Sequence, residues 1–408
     1  MSQLSRCVLR VGSGVCRCWT SSTSSPICSS AFSSTSSPIC SSTSTSSPIC
    51  SSTSASSPSS ASSPTSSPSS TSSPSDVHLN LALEDWIDAH VDLQRRGVLL
   101  LCRNRPAVVI GRHQNPWSEC DLRAMSKAGI LLARRRSGGG TVFHDLGNLN
   151  VTFFASKAAY DRRRNLKVVT DALRRLQPKL DVHATDRFDI LLNGRLKISG
   201  SASRLSRKSS YHHCTLLHST DRSTLAAVLR PSCPGIQSNA TPSVPSPVTN
   251  LQDHAPSLQW EELLDVLAQQ YSTEFGLSAA PTSVDPADES AFPGLGAAVA
   301  ELRGWDWTFG RTPKFSVQTP LELRDGGARS TAQLRMEVKN GVMESCELDV
   351  PAAWLPQRLS GELSGVLVGE RFCRHRAAAA VTTLLRSESG ERQDRLRNLC
   401  DAMLSVMG

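Results

Sequence analysis

Apolar positions in the body of the chain follow two periods. In LNLALEDWIDAHVDL, residues 79–93, Leu79, Leu83, Trp86, Ile87 and His90 recur at helical spacing and predict an amphipathic helix. The runs VLLLC (98–102), AVVIG (107–111), ILLAR (130–134), TVFHD (141–145) and NLNVTFFA (148–155) read as strands, and a helix near 165–176 follows. FDILLN (188–193), the pair Asn193-Gly194 and RLKISGSA (195–202) predict a β-hairpin, since both turn residues tolerate positive φ. YHHCTLLHS (211–219) reads as one more strand. A Pro/Ser-rich patch at 231–247 and a break near 277–293 lead into KFSVQTPLEL, RSTAQLRMEV and VMESCELDV, three strands with a turn at Asn340-Gly341. Helices are expected near 361–371, 376–387 and 391–406. The pattern predicts an α/β (α+β) protein with a larger domain over 76–290 and a small α+β accessory domain over 291–408.

The front of the chain has a different composition. No acidic residue precedes Asp76, whereas Arg6, Arg10 and Arg17 are spread through a Ser- and Cys-rich opening. That composition predicts a mitochondrial transit peptide over 1–25. Residues 26–75 are Ser/Thr/Pro-rich, with SSPIC at 24–28, 36–40 and 46–50, and hold too little apolar area to offset backbone ordering, which predicts a disordered linker. No apolar run reaches the length of a membrane span, so no membrane partner is expected.

The 13 cysteines include no CxxC pair in the body, and no His-x-x-x-His set accompanies them, so neither zinc nor a disulfide framework is supported. The net charge of +8 includes the three arginines of the front, which leaves about +5 for the rest. A balance that modest suits an acidic partner or an anionic small molecule.

RRRSGGGTVFHD, residues 134–145, sets three arginines, a hydroxyl and three consecutive glycines before an apolar run. Glycine removes Cβ, so a ligand can lie against main-chain N–H groups, and guanidinium forks match phosphate or carboxylate. The stretch fits an anion site or a flexible hairpin with a solvated basic flank. Because the glycines join two strands, neither a P-loop nor a Rossmann turn is present. In RLKISGSA, alternation sends Leu196 and Ile198 to one face and Lys197 and Ser199 to the other. Lys197, beside Gly200, is then a point charge for oxygens of a developing anion, or an edge lysine that discourages aggregation. His212 and Cys214 face away from His213 and Thr215.

Five segments in order, NLALEDW (80–86), GRHQNPWSEC (111–120), RRRSGGGTVFHDLGNLNVTFF (134–154), RFDILLNGRLKISGSA (187–202) and YHHCTLLHSTD (211–221), closely resemble the lipoate-protein ligase family, and within it the lipoyltransferase branch. The resemblance runs from about Val77 to the C-terminus. It implies a biotin/lipoate-protein ligase-type catalytic domain with a small C-terminal accessory domain, and an acyltransferase of protein lipoylation in the mitochondrial matrix. Lipoyl-AMP is the implied bound donor. The implied partners are the glycine cleavage H protein and the lipoyl domains of 2-oxoacid dehydrogenase complexes, with the enzyme a monomer. By motif, Lys197 is the implied catalytic residue, and Phe143, Arg187, Thr215, Val244 and Ser246 join it in binding lipoyl-AMP. Arg136, Ser137, Gly138, Gly139, Gly140, His144, Asp145 and Asn148 are implied to shape the pocket. Three rivals stand beside this reading. One is a full ligase that uses ATP and Mg to activate lipoate, and another uses Cys214 as an acyl-enzyme nucleophile. The third, a single-stranded nucleic-acid binder, needs aromatics interleaved with cations, and the body's aromatics are too sparse, so no nucleic-acid partner is expected.

Overall fold

A carboxylate oxygen of Asp76 accepts from the backbone N–H groups of His78 and Leu79 and starts helix α1 (Val77–His90). The structure, a computed structural model, describes residues 5–10, 75–231, 233–276, 281–325 and 328–408. The Ser/Thr/Pro linker with its SSPIC repeats lies outside the described residues. Strand β1 (Ser5–Arg10) falls within the stretch expected to be a leader and pairs in parallel with β2 (Arg96–Cys102). Next along the chain come β3 (Ala107–Ile110), the short helices α2 (Pro116–Glu119) and α3 (Leu122–Lys127), β4 (Leu131–Arg134), β5 (Val142–His144) and β6 (Asn148–Ser156). They are followed by α4 (Arg162–Leu176), β7 (Val182–Ala184), β8 (Ile190–Leu192), β9 (Leu196–Ser199), β10 (Ser201–Leu205) and β11 (Ser209–Leu217).

Beyond these lie α5 (Arg222–Val228), β12 (Ile236–Ser238), α6 (Trp260–Phe275), β13 (Thr282–Ser283), α7 (Leu295–Arg303) and α8 (Trp305–Thr308). The main sheet has the order β10-β11-β6-β2-β1-β13, and two three-stranded sheets, β4-β3-β5 and β7-β8-β9, flank it. One face of the main sheet, with Leu99, Val151, Phe153 and Leu216, packs on α4 and α6. The opposite face, with Val98, Leu100 and Phe154, packs on α1 and α7. The sequence pattern left α6 unassigned although Leu263, Leu267 and Tyr271 occupy its buried stripe.

The last part of the chain forms β14 (Phe315–Asp325), β15 (Ala328–Lys339) and β16 (Val342–Asp349), then α9 (Gln357–Leu367), α10 (Arg374–Ser387) and α11 (Gly390–Val406). The helices cover one face of a four-stranded sheet, β12-β14-β15-β16, whose outer strand β12 is lent by the larger domain. Trp117 of α2 inserts into the same core, 5.3 Å from the rings of Phe309 and Phe315. At the junction Arg134 is fully buried. Its guanidinium donates to the carbonyls of Gly111, Arg112, Gln114 and Thr308 and to the Thr312 hydroxyl, while Trp307 Nε1 donates to the Arg134 carbonyl. α7 packs into the larger core, and α8 lies at the junction, with Trp307 in the larger core and Trp305 against the accessory one.

Several histidines are buried in this framework. Burial lowers the pKa of His78, His212 and His218, and burial, with Arg135 nearby, pushes His144 down to about 3. Below about pH 6.5 the unfolded chain protonates these rings while the fold does not, so stability falls as the pH drops from about 6.5 toward the folded pKa. For His144 alone the loss at pH 5 is about 2 kcal/mol. Urea midpoints are expected to fall between pH 7 and 5, and His144→Asn to flatten that slope; a midpoint independent of pH would contradict the assignment.

Candidate active site

Between β4 and β5 the chain turns through Ser137-Gly138-Gly139-Gly140, and Arg135 holds that turn. Its guanidinium is buried and donates to Ser137 Oγ at 3.0 Å, to the Val109 carbonyl at 3.0 Å, and to the carbonyls of Gly138 and Gly140 at 2.6 and 2.7 Å. Burial lowers its pKa to about 10, which leaves it charged at neutral pH. Gly139 has φ +83°, in the left-handed region, and a Cβ on Gly111 would come within 2.1 Å of its carbonyl oxygen. The glycines thus let backbone close around a buried cation on one side and line a cavity of about 380 Å³ on the other.

Lys197 stands on the far wall. Its ammonium lies 3.0 Å from Asp189 Oδ1, and a Cβ on Gly200 would sit 3.2 Å from the nitrogen. The backbone on both sides of β9 is engaged: β8 pairs on one side, and on the other Lys197 N donates to the Pro247 carbonyl at 2.8 Å. The edge-strand alternative for this lysine is thereby set aside. Asp189 and Arg187 flank Phe188, whose φ of 64° folds the RFD segment into a tight turn. Ser201 Oγ donates to the Phe188 carbonyl at 2.7 Å, and the Arg162 guanidinium covers the Phe188 ring at 3.8 Å. Arg187 lines the cavity without a hydrogen bond or ion pair among the described residues.

The remaining polar lining comes from α1 and the main sheet. Thr152 Oγ1 donates to Glu84, whose two carboxylate oxygens each lie 3.2 Å from His213 Nδ1, and His213 Nε2 lies 2.8 Å from Ser137 Oγ. Ser137 Oγ accepts from Arg135 on one side and meets the His213 ring on the other, and the Glu84 carboxylate, which only accepts, faces His213 Nδ1. Asn80 Nδ2 donates to Asn104 Oδ1 at 2.7 Å, and Asn104 Nδ2 to His144 Nδ1 at 2.9 Å. Cys214 also lines the cavity, and burial pushes its thiol up to about 12.

The structure brings Gly139, Gly140, His144, Arg187, Lys197, Thr215 and Val244 together around the cavity. It places Phe143 elsewhere: β5 alternation turns Val142 and His144 to the cavity and packs Phe143 with Val108, Ile110 and Met125. Arg136 binds Asp85 and Glu301 at 2.6 and 2.9 Å, tying the loop to α1 and α7. Ser137 and Gly138 sit behind the lining as partners of Arg135. Asp145 accepts from Gly147 N and Asp221 N, Asn148 donates to Asn150, and Ser246 is exposed beyond the lining, where Ser243 takes its place. Asn80, Glu84, Asn104, Asp189 and His213 were not singled out. Asn80 and Glu84 carried a signal, as polar residues four apart within the buried stripe of α1.

Arg135→Lys removes the fork that holds two glycine carbonyls and is expected to lower stability by about 1–3 kcal/mol and to speed hydrogen exchange in the 137–141 turn. An unchanged exchange pattern would show that the turn holds itself.

The chain is similar to known proteins. The model of the lipoyl protein ligase A/B catalytic domain matches residues 76–272. Over 335 residues the chain is 45% identical to the mitochondrial lipoyl amidotransferase LIPT1 of Mus musculus, and 43% identical to that of Homo sapiens. Each alignment covers 82% of this chain and 90% of the relative. The solved structure of P. falciparum LipL1 in complex with lipoate superimposes with a TM-score of 0.51 at 23% identity, over 81% of this chain and 96% of that one, a likeness of fold. The sequence matches and the cavity coincide in residues 76–272, and on them the chain belongs to the lipoyl protein ligase family, alongside the mitochondrial lipoyl amidotransferases.

Proposed function

We propose that this chain takes a lipoyl group from lipoyl-AMP, or from a lipoylated glycine cleavage H protein, and transfers it to a lysine on the lipoyl domains of 2-oxoacid dehydrogenase acyltransferase subunits in the mitochondrial matrix. The enzyme is a lipoyltransferase acting in protein lipoylation, and a mitochondrial one. The observation that carries the finer reading is Lys197: its ammonium sits in the cavity wall beside bare glycine backbone, with Arg187 on the same wall. Two cations there suit the phosphate of an acyl-adenylate.

With lipoyl-AMP as donor, the neutral amine of the carrier lysine attacks the acyl carbonyl. A C–N bond forms, the C–O bond to phosphate breaks, AMP leaves with the bonding pair, and the nitrogen loses a proton to solvent. Lys197 stabilises the negative charge that grows on the carbonyl oxygen and the departing phosphate. Among the ionised groups of the lining, Arg135, Arg187 and Lys197 are cationic and Glu84 and Asp189 anionic, a net of one positive charge. That balance favours a singly charged acyl phosphate over the several charges of ATP and its metal, which supports the transferase over the full ligase. A thiol held at about 12 stays protonated and is a poor nucleophile, which weighs against an acyl-enzyme on Cys214.

Lys197→Ala is expected to remain folded and to lose about 10²–10³ in single-turnover transfer from lipoyl-AMP to an apo lipoyl domain. Lys197→Arg should restore little, because a planar guanidinium does not replace a compact charge. A folded Lys197→Ala enzyme at the wild-type rate would overturn the role.

Donor preference is checked by intact mass of the carrier. Transfer from lipoyl-AMP should exceed that from free lipoate with ATP and Mg, and robust pyrophosphate release from the second mixture would identify a ligase.

A further inference from the structure

The segment Thr241-Pro242-Ser243-Val244 lines the cavity beside the glycine turn, and its two ends are fixed to different sheets. Upstream, β12 pairs with β14 of the accessory sheet. Downstream, Val248 bridges Lys197, with Thr249 N donating to the Lys197 carbonyl at 3.1 Å. Between these anchors the prolines at 242, 245 and 247 carry no N–H, so the segment cannot build a ladder of its own. Its position over the cavity rests on one backbone bond, from Thr241 N to the His113 carbonyl at 3.1 Å, and on side chains.

Gln114 Nε2 donates to the Thr241 carbonyl at 3.2 Å, and one carboxylate adds a second hold at Ser243. Glu119 Oε1 accepts from Ser243 N at 3.2 Å, and Glu119 Oε2 accepts from Ser243 Oγ. Thr141 Oγ1, at the end of the glycine turn, lies 3.0 Å from Glu119 Oε2 and 2.9 Å from Gln114 Oε1. Ser243 Oγ in turn accepts from Thr141 N at 2.9 Å and from Gln114 Nε2 at 3.1 Å. Glu119 thus joins the wall to the glycine turn, and it is half-buried with no cation bonded to it among the described residues. It sits two residues from Trp117, which is locked in the accessory core, so its backbone cannot drift with the wall. A carboxylate that only accepts, set against two donors on the wall, acts as a latch beside the bonds from Gln114 and His113.

We propose that Glu119 is a positioning residue that holds the 241–244 wall against the glycine turn and so sets the affinity and residence time of the bound donor. The proposal deepens the acyl-adenylate reading and rests on it for the identity of the ligand. Glu119 acts through Ser243 and Thr141 rather than by reaching the reacting atoms. Removing it is therefore expected to weaken donor retention while leaving the chemical step at Lys197 nearly intact.

The test uses the full chain with Glu119→Gln, Ser243→Ala and the double variant, with thermal melting as the folding control. An amide cannot accept both wall donors as the carboxylate does, so hydrogen exchange in the ligand-free protein should quicken at Ser243 and Thr141 by about tenfold. In Glu119→Gln, affinity for a non-hydrolysable lipoyl-adenylate analogue should fall by a similar factor, about tenfold, whereas single-turnover transfer at saturating donor changes less than about threefold. The affinity losses of the two single variants should sum to more than the loss in the double variant, since the Glu119–Ser243 Oγ bond is shared between them. Unchanged exchange at Ser243 and Thr141 in folded Glu119→Gln would overturn the latch. So would a variant whose transfer rate collapses while its donor affinity stays at the wild-type value. If the wild-type chain fails to bind the analogue, the adenylate reading fails, and the exchange measurement still decides whether Glu119 holds the wall.

Discussion

The cation of Arg135, enclosed by the carbonyls of Val109, Gly138 and Gly140, is the contact on which the site's geometry depends. A buried guanidinium without a bonded carboxylate has to find acceptors in the backbone, and only a turn stripped of side chains lets carbonyls converge that closely. The glycines therefore serve the arginine first and the ligand second. Through Ser137 the same guanidinium is connected to the His213 ring and from there to Glu84, so one charge is joined to two walls of the cavity.

The run of three arginines is divided by strand geometry into three structural tasks. Arg134 turns to the domain junction and Arg135 to the glycine turn, while Arg136 runs back to Asp85 and Glu301. The sequence suggests that these cations meet an anionic ligand, yet each is engaged by the protein itself, and only Arg135 reaches the lining. The cations that remain for a ligand come from another segment, Arg187 and Lys197, which a turn at Phe188 and a bulge between Ile190 and Leu191 bring to the same wall.

Much of the fold was legible because local rules and tertiary packing agree. Asn193-Gly194 and Asn340-Gly341 both adopt the positive φ values that the hairpin reading requires. Alternation in RLKISGSA buries Ile198 and leaves Lys197 to the cavity. The motif alone assigns Phe143 to the pocket, whereas alternation along β5 puts it on the core face and its neighbours Val142 and His144 on the cavity. At the front of the chain the acid-free composition reads as a leader, and the backbone of Ser5–Arg10 lies along β2 with Val8 opposite Leu99. Pairing of that kind leaves no mark in composition.

The connection least visible in the sequence is the loan of β12 to the accessory sheet. Ile236 pairs with Val317, and a Cβ on Gly235 would come within 2.0 Å of the Gln318 carbonyl, so this strand is seated by a close backbone approach rather than by a hydrophobic pattern. Twelve residues beyond Ile236, Val248 meets Lys197. The accessory domain is thus linked by one short, proline-stiffened segment to the strand that carries the candidate catalytic lysine. A displacement of the accessory sheet has two routes into the cavity, through β12 and through Trp117 to Glu119, and both end on the same wall. Among the described residues the small domain supplies none of the cavity lining, and it bears on the site through these two connections.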